Sequence, residues 1–133
     1  MVNCVSGDLL DTSILIAPDL AALANLPGSA AISVITLGEL HAGVLLARDT
    51  NLEEARRARL MAVKASFAPL PVDEPIAEHY GKVLALARTE RRTVKATDLL
   101  IIATAAAHSR TLHTLDGKQA SLARAAGISV EIL

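Results

Sequence analysis

The run Leu99-Leu100-Ile101-Ile102-Ala103-Thr104-Ala105-Ala106-Ala107 constrains this chain more than any other stretch. With Thr97 as its N-cap it reads as a helix that is apolar on every side, and such a helix must be buried nearly all round. It is too short to cross a bilayer, so the material that buries it has to be protein. The rest of the chain supplies that material as short apolar runs alternating with helical patterns. A helix enclosed by such an alternation belongs in a layered α/β domain.

The alternation can be followed along the chain. Leu9-Leu10 reads as a strand that runs into a helix beginning near Ser13 and extending to about Asn25, interrupted near Pro18. Ala30 to Ser33 is a second strand, and Leu37, Leu40, Val44 and Leu45 recur at helical spacing between Thr36 and Ala47. Asp49-Thr50-Asn51 breaks that helix, and another runs from Leu52 to about Phe67. Ala68 to Val72 is a short strand whose prolines, Pro69 and Pro71, suit a sheet edge. Asp73 caps a helix reaching about Arg91, with Pro75 in its first turn. After a loop over Thr93 to Ala96 come the apolar helix, a strand at Thr111 to Thr114, a helix from Gly117 to Ala126 closed by Gly127, and a strand from Ser129 to Leu133. This order predicts a three-layer α/β/α sandwich around a mainly parallel five-stranded sheet, as one domain over residues 1–133.

Composition agrees. Hydrophobic residues make up 52% of the chain while Phe67 and Tyr80 are the only aromatics, which is the palette of aliphatic strands buried on both faces. The formal charge of −1 gives no global attraction to nucleic acid, so an anionic partner must meet a local basic patch. One cysteine, Cys4, excludes an internal disulfide, reads as a small hydrophobe and suits a reducing, cytoplasmic setting. Neither a signal peptide nor a membrane span is evident.

Four carboxylates fall where local structure explains each one singly but not all together. Asp11 ends the first strand and caps the next helix; Asp116 does the same after Leu112-His113-Thr114. Asp98 lies in the first turn of the apolar helix, where the macrodipole favours an acid. Glu39 lies among Ile35, Gly38, Leu40, Ala42 and Gly43, on or beside a small-residue face. It either reaches water at a rim or needs a partner, since an unpaired buried carboxylate is costly. In a parallel sheet all strand C-termini share one edge, and these acids sit at that edge or on helices that start from it. Carboxylates gathered there repel one another unless a hard cation such as Mg²⁺ or Mn²⁺ lies among them. The histidines, His41, His79, His108 and His113, lack ligand-like spacing and read as surface or core residues. Arg88, Arg91, Arg92 and Lys95 form a basic run that is either a solvated helix end or a contact for an anionic partner.

Leu9-Leu10-Asp11-Thr12-Ser13-Ile14-Leu15-Ile16, Ser33-Val34-Ile35-Thr36-Leu37-Gly38-Glu39-Leu40, Thr97 to Ala105 and Leu112-His113-Thr114-Leu115-Asp116 resemble, in order and spacing, the PIN domain and in particular the small bacterial VapC-type toxins. The resemblance spans nearly the whole chain. It implies a Mg²⁺- or Mn²⁺-dependent ribonuclease with Asp11, Glu39, Asp98 and Asp116 as its acidic quartet, Asp11 and Asp98 on the metal, and Thr12 or Ser13 supplying a hydroxyl beside the first acid. It also implies a homodimer and a VapB-type antitoxin partner whose C-terminal arm wraps over the toxin. Two positions depart from the family pattern: Ser13 stands where asparagine is common, and Leu115 where arginine is common.

Two rival readings use the same residues. A receiver-like phosphoacceptor domain would use Asp8, Asp11 and Asp73, but it needs a lysine at the end of the last strand and leaves Glu39 unexplained. A catalytically silent PIN-like interaction module would keep the fold without the chemistry. The first three helices also carry more apolar residues (Leu15, Leu20, Leu23, Leu46, Leu60, Met61, Val63) than one face of a small sheet requires. That surplus predicts an exposed patch for a partner helix.

Overall fold

The structure is a computed structural model and describes residues 7–17 and 30–132. Five strands, β1 (Asp8–Leu10), β2 (Ala31–Ser33), β3 (Ala68–Leu70), β4 (Thr111–Thr114) and β5 (Val130–Ile132), form one sheet in the order β3-β2-β1-β4-β5. Every pairing in it is parallel. Around it lie α1 (Thr12–Leu15), α2 (Val34–Leu45), α3 (Thr50–Ser66), α4 (Glu74–Thr89), α5 (Ala96–Ala107) and α6 (Gly117–Ala125).

Neighbouring strand residues point to opposite faces, and the two cores follow from that. Leu9 and its register partner Leu112 face Val83, Ala87, Leu99, Ile102, Leu122 and Ala123, from α4, α5 and α6. Leu10 and Ile32 turn the other way, onto Leu15, Leu40, Val44, Leu60 and Val63 from α1, α2 and α3. The result is the predicted three-layer sandwich, with Ile101 and Ile102 of α5 fully buried. No helix among the described residues is long and apolar enough to cross a membrane.

Several boundaries differ from the sequence reading, each for a hydrogen-bonding reason. Thr97 is not the cap of α5: the helix begins at Ala96, Lys95 holds the cap position, and no side chain caps it. Asp49 does not merely break the chain. Its Oδ1 accepts from Leu52 N at 2.8 Å, so α3 starts at Thr50. Ser33 caps α2 through Ile35 N at 3.0 Å, which starts that helix two residues before Thr36. Leu15, Leu60 and Val63, counted above as surplus surface, are core residues; Leu20, Leu23, Cys4 and the helical reading through Asn25 lie outside the described residues. The proline-bearing β3 is an edge strand, as Pro69 requires.

The topology also marks a place. The chain lays down β1, moves outward through β2 and β3, then returns to set β4 on the other side of β1. The direction of winding therefore reverses between β1 and β4, and the crevice beyond the carboxyl ends of those strands is where open α/β sheets bind ligands.

Candidate active site

At that crevice β1 is followed by Asp11, a residue 3% exposed. Its extended backbone (φ −70°, ψ 155°) turns the chain into α1, and Oδ2 accepts from Ser13 N at 3.2 Å. So the capping role is real, but it uses only part of the carboxylate. Oδ2 also accepts from Ser13 Oγ at 2.6 Å and has Thr114 Oγ1 3.1 Å away, while Oδ1 accepts from Gln119 Nε2 at 3.1 Å. A buried anion surrounded by donors in this way is held in one orientation.

The two hydroxyl residues after Asp11 divide the work. Ser13 Oγ, bonded to Asp11, accepts from Leu115 N at 3.0 Å and thereby ties the turn after β1 to the turn after β4. That bond comes from the Leu115 backbone; the side chain is 44% exposed. Thr12 reaches the opposite way, to Glu39 Oε1 at 2.7 Å, with Thr36 Oγ1 3.0 Å from the same hydroxyl. Glu39 is thus neither a free rim acid nor a structural orphan. Its helix starts directly from the end of β2, and Thr12 fastens it to the Asp11 turn.

Asp116 caps α6 through Lys118 N at 2.9 Å and Gln119 N at 3.3 Å, and its own N–H is held by Thr114 Oγ1 at 3.0 Å. Asp98 completes the set by charge. Its carboxyl is pushed up from 3.8 to about 6, first by burial and then by the negative charges of Asp11, Asp116 and Glu39, with Lys95 pulling the other way. The structure therefore places all four predicted acids at one edge, near enough for three of them to raise the proton affinity of the fourth.

Among the described residues, no three His, Cys, Asp or Glu side chains are gathered tightly enough to hold an ion by themselves. The convergence is one of charge at longer range. An all-oxygen, mutually repelling donor set of this kind fits a hard dication that keeps part of its water shell. Asp11 and Asp98 are the residues that would hold it, with Glu39 and Asp116 beside them.

Sequence reasoning missed Thr36, Thr114 and Gln119, which are all 0% exposed. Gln119 did leave a signal. It stands three residues after the capping Asp116, as in a capping box, yet it lies in the apolar stripe of Ala120, Leu122 and Ala123, where a polar side chain must find buried partners.

The basic run is less uniform than its sequence suggests. Arg92 donates from Nε to Glu90 Oε1 at 2.7 Å and from Nη1 to Ser121 Oγ at 2.8 Å. It lines a cleft of about 420 Å³ with Thr93, Val94, Gly117, Lys118 and Ser121. Arg88 lines a neighbouring cleft with Tyr80, Leu84 and Arg92. Arg91 is exposed at φ +55° after α4, and Lys95 precedes α5. His113 is a core histidine, with Nε2 2.6 Å from Asp8 Oδ1.

A groove of about 590 Å³ opens beside the acidic edge. Thr12 and Glu39 line it together with Ile16, Leu40, Gly43, Leu52, Ala55, Arg56 and Arg59. Arg59 Nη1 donates to Leu15 O and Ala17 O, each at 2.7 Å, and so braces α1 against α3. Leu45, Leu46 and Met61 are exposed on the same two helices, α2 and α3, or just beyond them.

A buried aspartate at the winding reversal of a 3-2-1-4-5 parallel sheet, with three further acids at the same edge, defines a class. The chain belongs to the PIN-domain family, whose model matches residues 9–125. It is 36% identical over 134 residues to Ribonuclease VapC5 of Mycobacterium tuberculosis, with 98% of each chain covered. It is 42% identical over 104 residues to Ribonuclease VapC8 of the same organism, covering 76% of this chain and 92% of that one. Among solved structures it is similar to a member of the VapBC family of toxin–antitoxin systems, VapBC-5 from M. tuberculosis (TM-score 0.79, 36% identity, 95% and 96% of the two chains). FitAcB from Neisseria gonorrhoeae is also similar (TM-score 0.78, 30% identity, 92% and 95%).

Proposed function

We propose that this chain is a Mg²⁺- or Mn²⁺-dependent ribonuclease, the toxin of a toxin–antitoxin pair, acting in the cytoplasm as a single domain over residues 1–133. The observation that carries the reading is the raised proton affinity of Asp98, caused in part by Asp11, Asp116 and Glu39. Four acids that repel one another at a sheet's binding edge call for a cation, and a phosphodiester is a substrate such an ion serves. The names of the similar proteins, ribonucleases and a member of a family of toxin–antitoxin systems, support the same reading.

Asp11 and Asp98 would hold the metal, and bound metal would supply an acidified water and neutralise charge on the phosphate. Glu39, held by Thr12, would take a proton from the attacking water or hold it in line. Asp116 lies on the far side of the crevice, fixed by its capping bonds. Ser13 keeps the Asp11 turn and the Asp116 turn at constant separation. RNA is gripped through its phosphates, because Phe67 and Tyr80 offer no row of stacking surfaces. Arg92 and Lys118, which line one cleft, are the cations proposed to hold those phosphates, with Arg88, Arg91 and Lys95 of the same basic run.

The groove beside Glu39 is the seat of the antitoxin. An apolar floor of Ile16, Leu40, Leu52 and Ala55 suits one face of a helix, and a basic side chain from that helix would meet Glu39, which lines the same groove. A homodimer in the larger assembly is part of the same proposal. The receiver-like alternative fits the structure poorly: its sheet runs 2-1-3-4-5, whereas this one runs 3-2-1-4-5, and the Asp8 carboxylate is spent on His113.

The test is cleavage of a generic structured RNA by the purified chain with Mn²⁺, with chelator, and with Asp11→Asn. Cleavage that requires both Mn²⁺ and Asp11 supports the proposal. Binding without cleavage in all three arms would leave the silent interaction module as the correct reading.

A further inference from the structure

The polar network under Asp11 contains one member that helix packing does not require. Gln119 sits on the inner face of α6 between Asp116, Ala120, Leu122 and Ala123 and is 0% exposed. Leucine or methionine would fill that volume without the cost of burying an amide, which is recovered only when both ends of the amide are bonded. Both ends are bonded here, and both bonds lead to the first acid. Nε2 donates to Asp11 Oδ1 at 3.1 Å, and Oε1 accepts from Thr114 Oγ1 at 2.7 Å.

The direction of this relay is fixed by chemistry. An ionised carboxylate only accepts, so the amide must present its nitrogen to Asp11 and its oxygen to Thr114. Thr114 has one hydroxyl proton; the Gln119 oxygen is its nearer acceptor, and Asp11 Oδ2 lies farther off at 3.1 Å. The two oxygens of Asp11 are consequently unequal. Oδ2 is crowded by Ser13 N, Ser13 Oγ and Thr114 Oγ1, whereas Oδ1 has Gln119 as its one partner among the described residues. Oδ1 is the oxygen with capacity left for a cation, and Gln119 sets where it points.

We propose that Gln119 is a positioning residue for the divalent ion, which orients Asp11 Oδ1 through a buried Thr114–Gln119 relay and thereby sets metal affinity. This rests on the metal site proposed above. Partners of this kind behind a ligand typically change metal affinity by about 10- to 100-fold when removed.

The test measures Mn²⁺ binding, by the loss of the free-ion electron paramagnetic resonance signal, and the rise in Tm that saturating Mn²⁺ produces. Wild type, Gln119→Met and Gln119→Glu are compared, each also melted in chelator. Gln119→Met keeps the volume and removes the donor; Mn²⁺ binding should weaken on the order of tenfold and the Mn²⁺-induced rise in Tm should shrink. Gln119→Glu keeps the acceptor for Thr114 and sets a carboxylate against Oδ1. Its Tm in chelator should fall, and its Mn²⁺-induced rise should exceed that of wild type. A purely structural glutamine would lower the chelator Tm of Gln119→Met and leave its Mn²⁺-induced rise equal to that of wild type, which overturns the proposal while the metal site stands. If Gln119→Met does not fold, an increment for Gln119→Glu equal to wild type is still sufficient to overturn it. A wild type indifferent to Mn²⁺ would remove the metal site and this inference together.

Discussion

At the scale of single residues, the site is a set of acids each held by a different device. Asp11 is clamped by neutral donors, Glu39 by a hydroxyl, and Asp116 by the first N–H groups of a helix. Asp98 carries the electrostatic cost. Its proton is retained by the folded protein between 3.8 and about 6, a range in which the unfolded chain has already released it. The folded state binds more protons there, so its stability decreases as pH rises through that window and the loss is complete above it. In chelator, thermal melts from about pH 4 to pH 7 should show this decline, and Asp98→Asn should flatten it and raise Tm at neutral pH. Glu39→Gln relieves the same repulsion. It is expected to abolish RNA cleavage while leaving Tm equal or higher; retained cleavage with lost stability would make Glu39 a structural residue.

At the scale of elements, what matters is which helix starts where. α2 and α6 begin at the ends of β2 and β4, so Ser33 and Asp116 serve as caps and also place their helices' acids at the binding edge. α3 does different work. Arg56 Nη1 donates to Gly43 O at 2.6 Å, and Arg59 holds the end of α1, so α3 closes one wall of the groove. Ala55 is an exposed position on that wall. Ala55→Lys should weaken the antitoxin complex on the order of tenfold by blocking an apolar helix face, a cost of about 1.4 kcal/mol, with Mn²⁺-dependent RNA cleavage by the free toxin unaltered. Calorimetric titration with the antitoxin's C-terminal segment would measure it. Undiminished affinity would place the partner elsewhere, with the exposed Leu45, Leu46 and Met61 as the next surface to probe.

At the scale of the whole molecule, a chain of net charge −1 that concentrates acids at its working edge must draw RNA in through a few local cations. Substituting Arg92 and Lys118 by alanine should raise KM for RNA several-fold with little change in kcat. The slope of log affinity against log salt should also become shallower, by roughly 0.7 for each phosphate that is no longer neutralised. An equal loss in kcat, with KM unchanged, would assign these residues to the chemistry and not to substrate capture.

The sequence by itself determined the alternation of strands and helices, the edge position of the proline strand, and the choice of four acids that share one sheet edge. The first two are set by apolar periodicity and the missing N–H of proline, and Asp11, Asp98 and Asp116 by the preference of carboxylates for strand ends and helix starts; Glu39 lies inside α2 and stood out because its helical neighbours are apolar or small. The residues it misjudged are those whose role depends on partners far away in the chain. Leu15, Leu60 and Val63 read as surplus surface because nothing local says which side of α1 or α3 meets the sheet. Thr97 read as a cap because its residue type fits, although the turn actually begins at Lys95. Thr114 and Gln119 became part of the site only when the strand order β3-β2-β1-β4-β5 laid β4 against β1. That pairing sets side chains 103 and 108 positions along the chain within hydrogen-bonding distance of Asp11. A carboxylate's position along the chain is decided locally, but the orientation of its oxygens is decided by whichever donors the tertiary fold brings beside it.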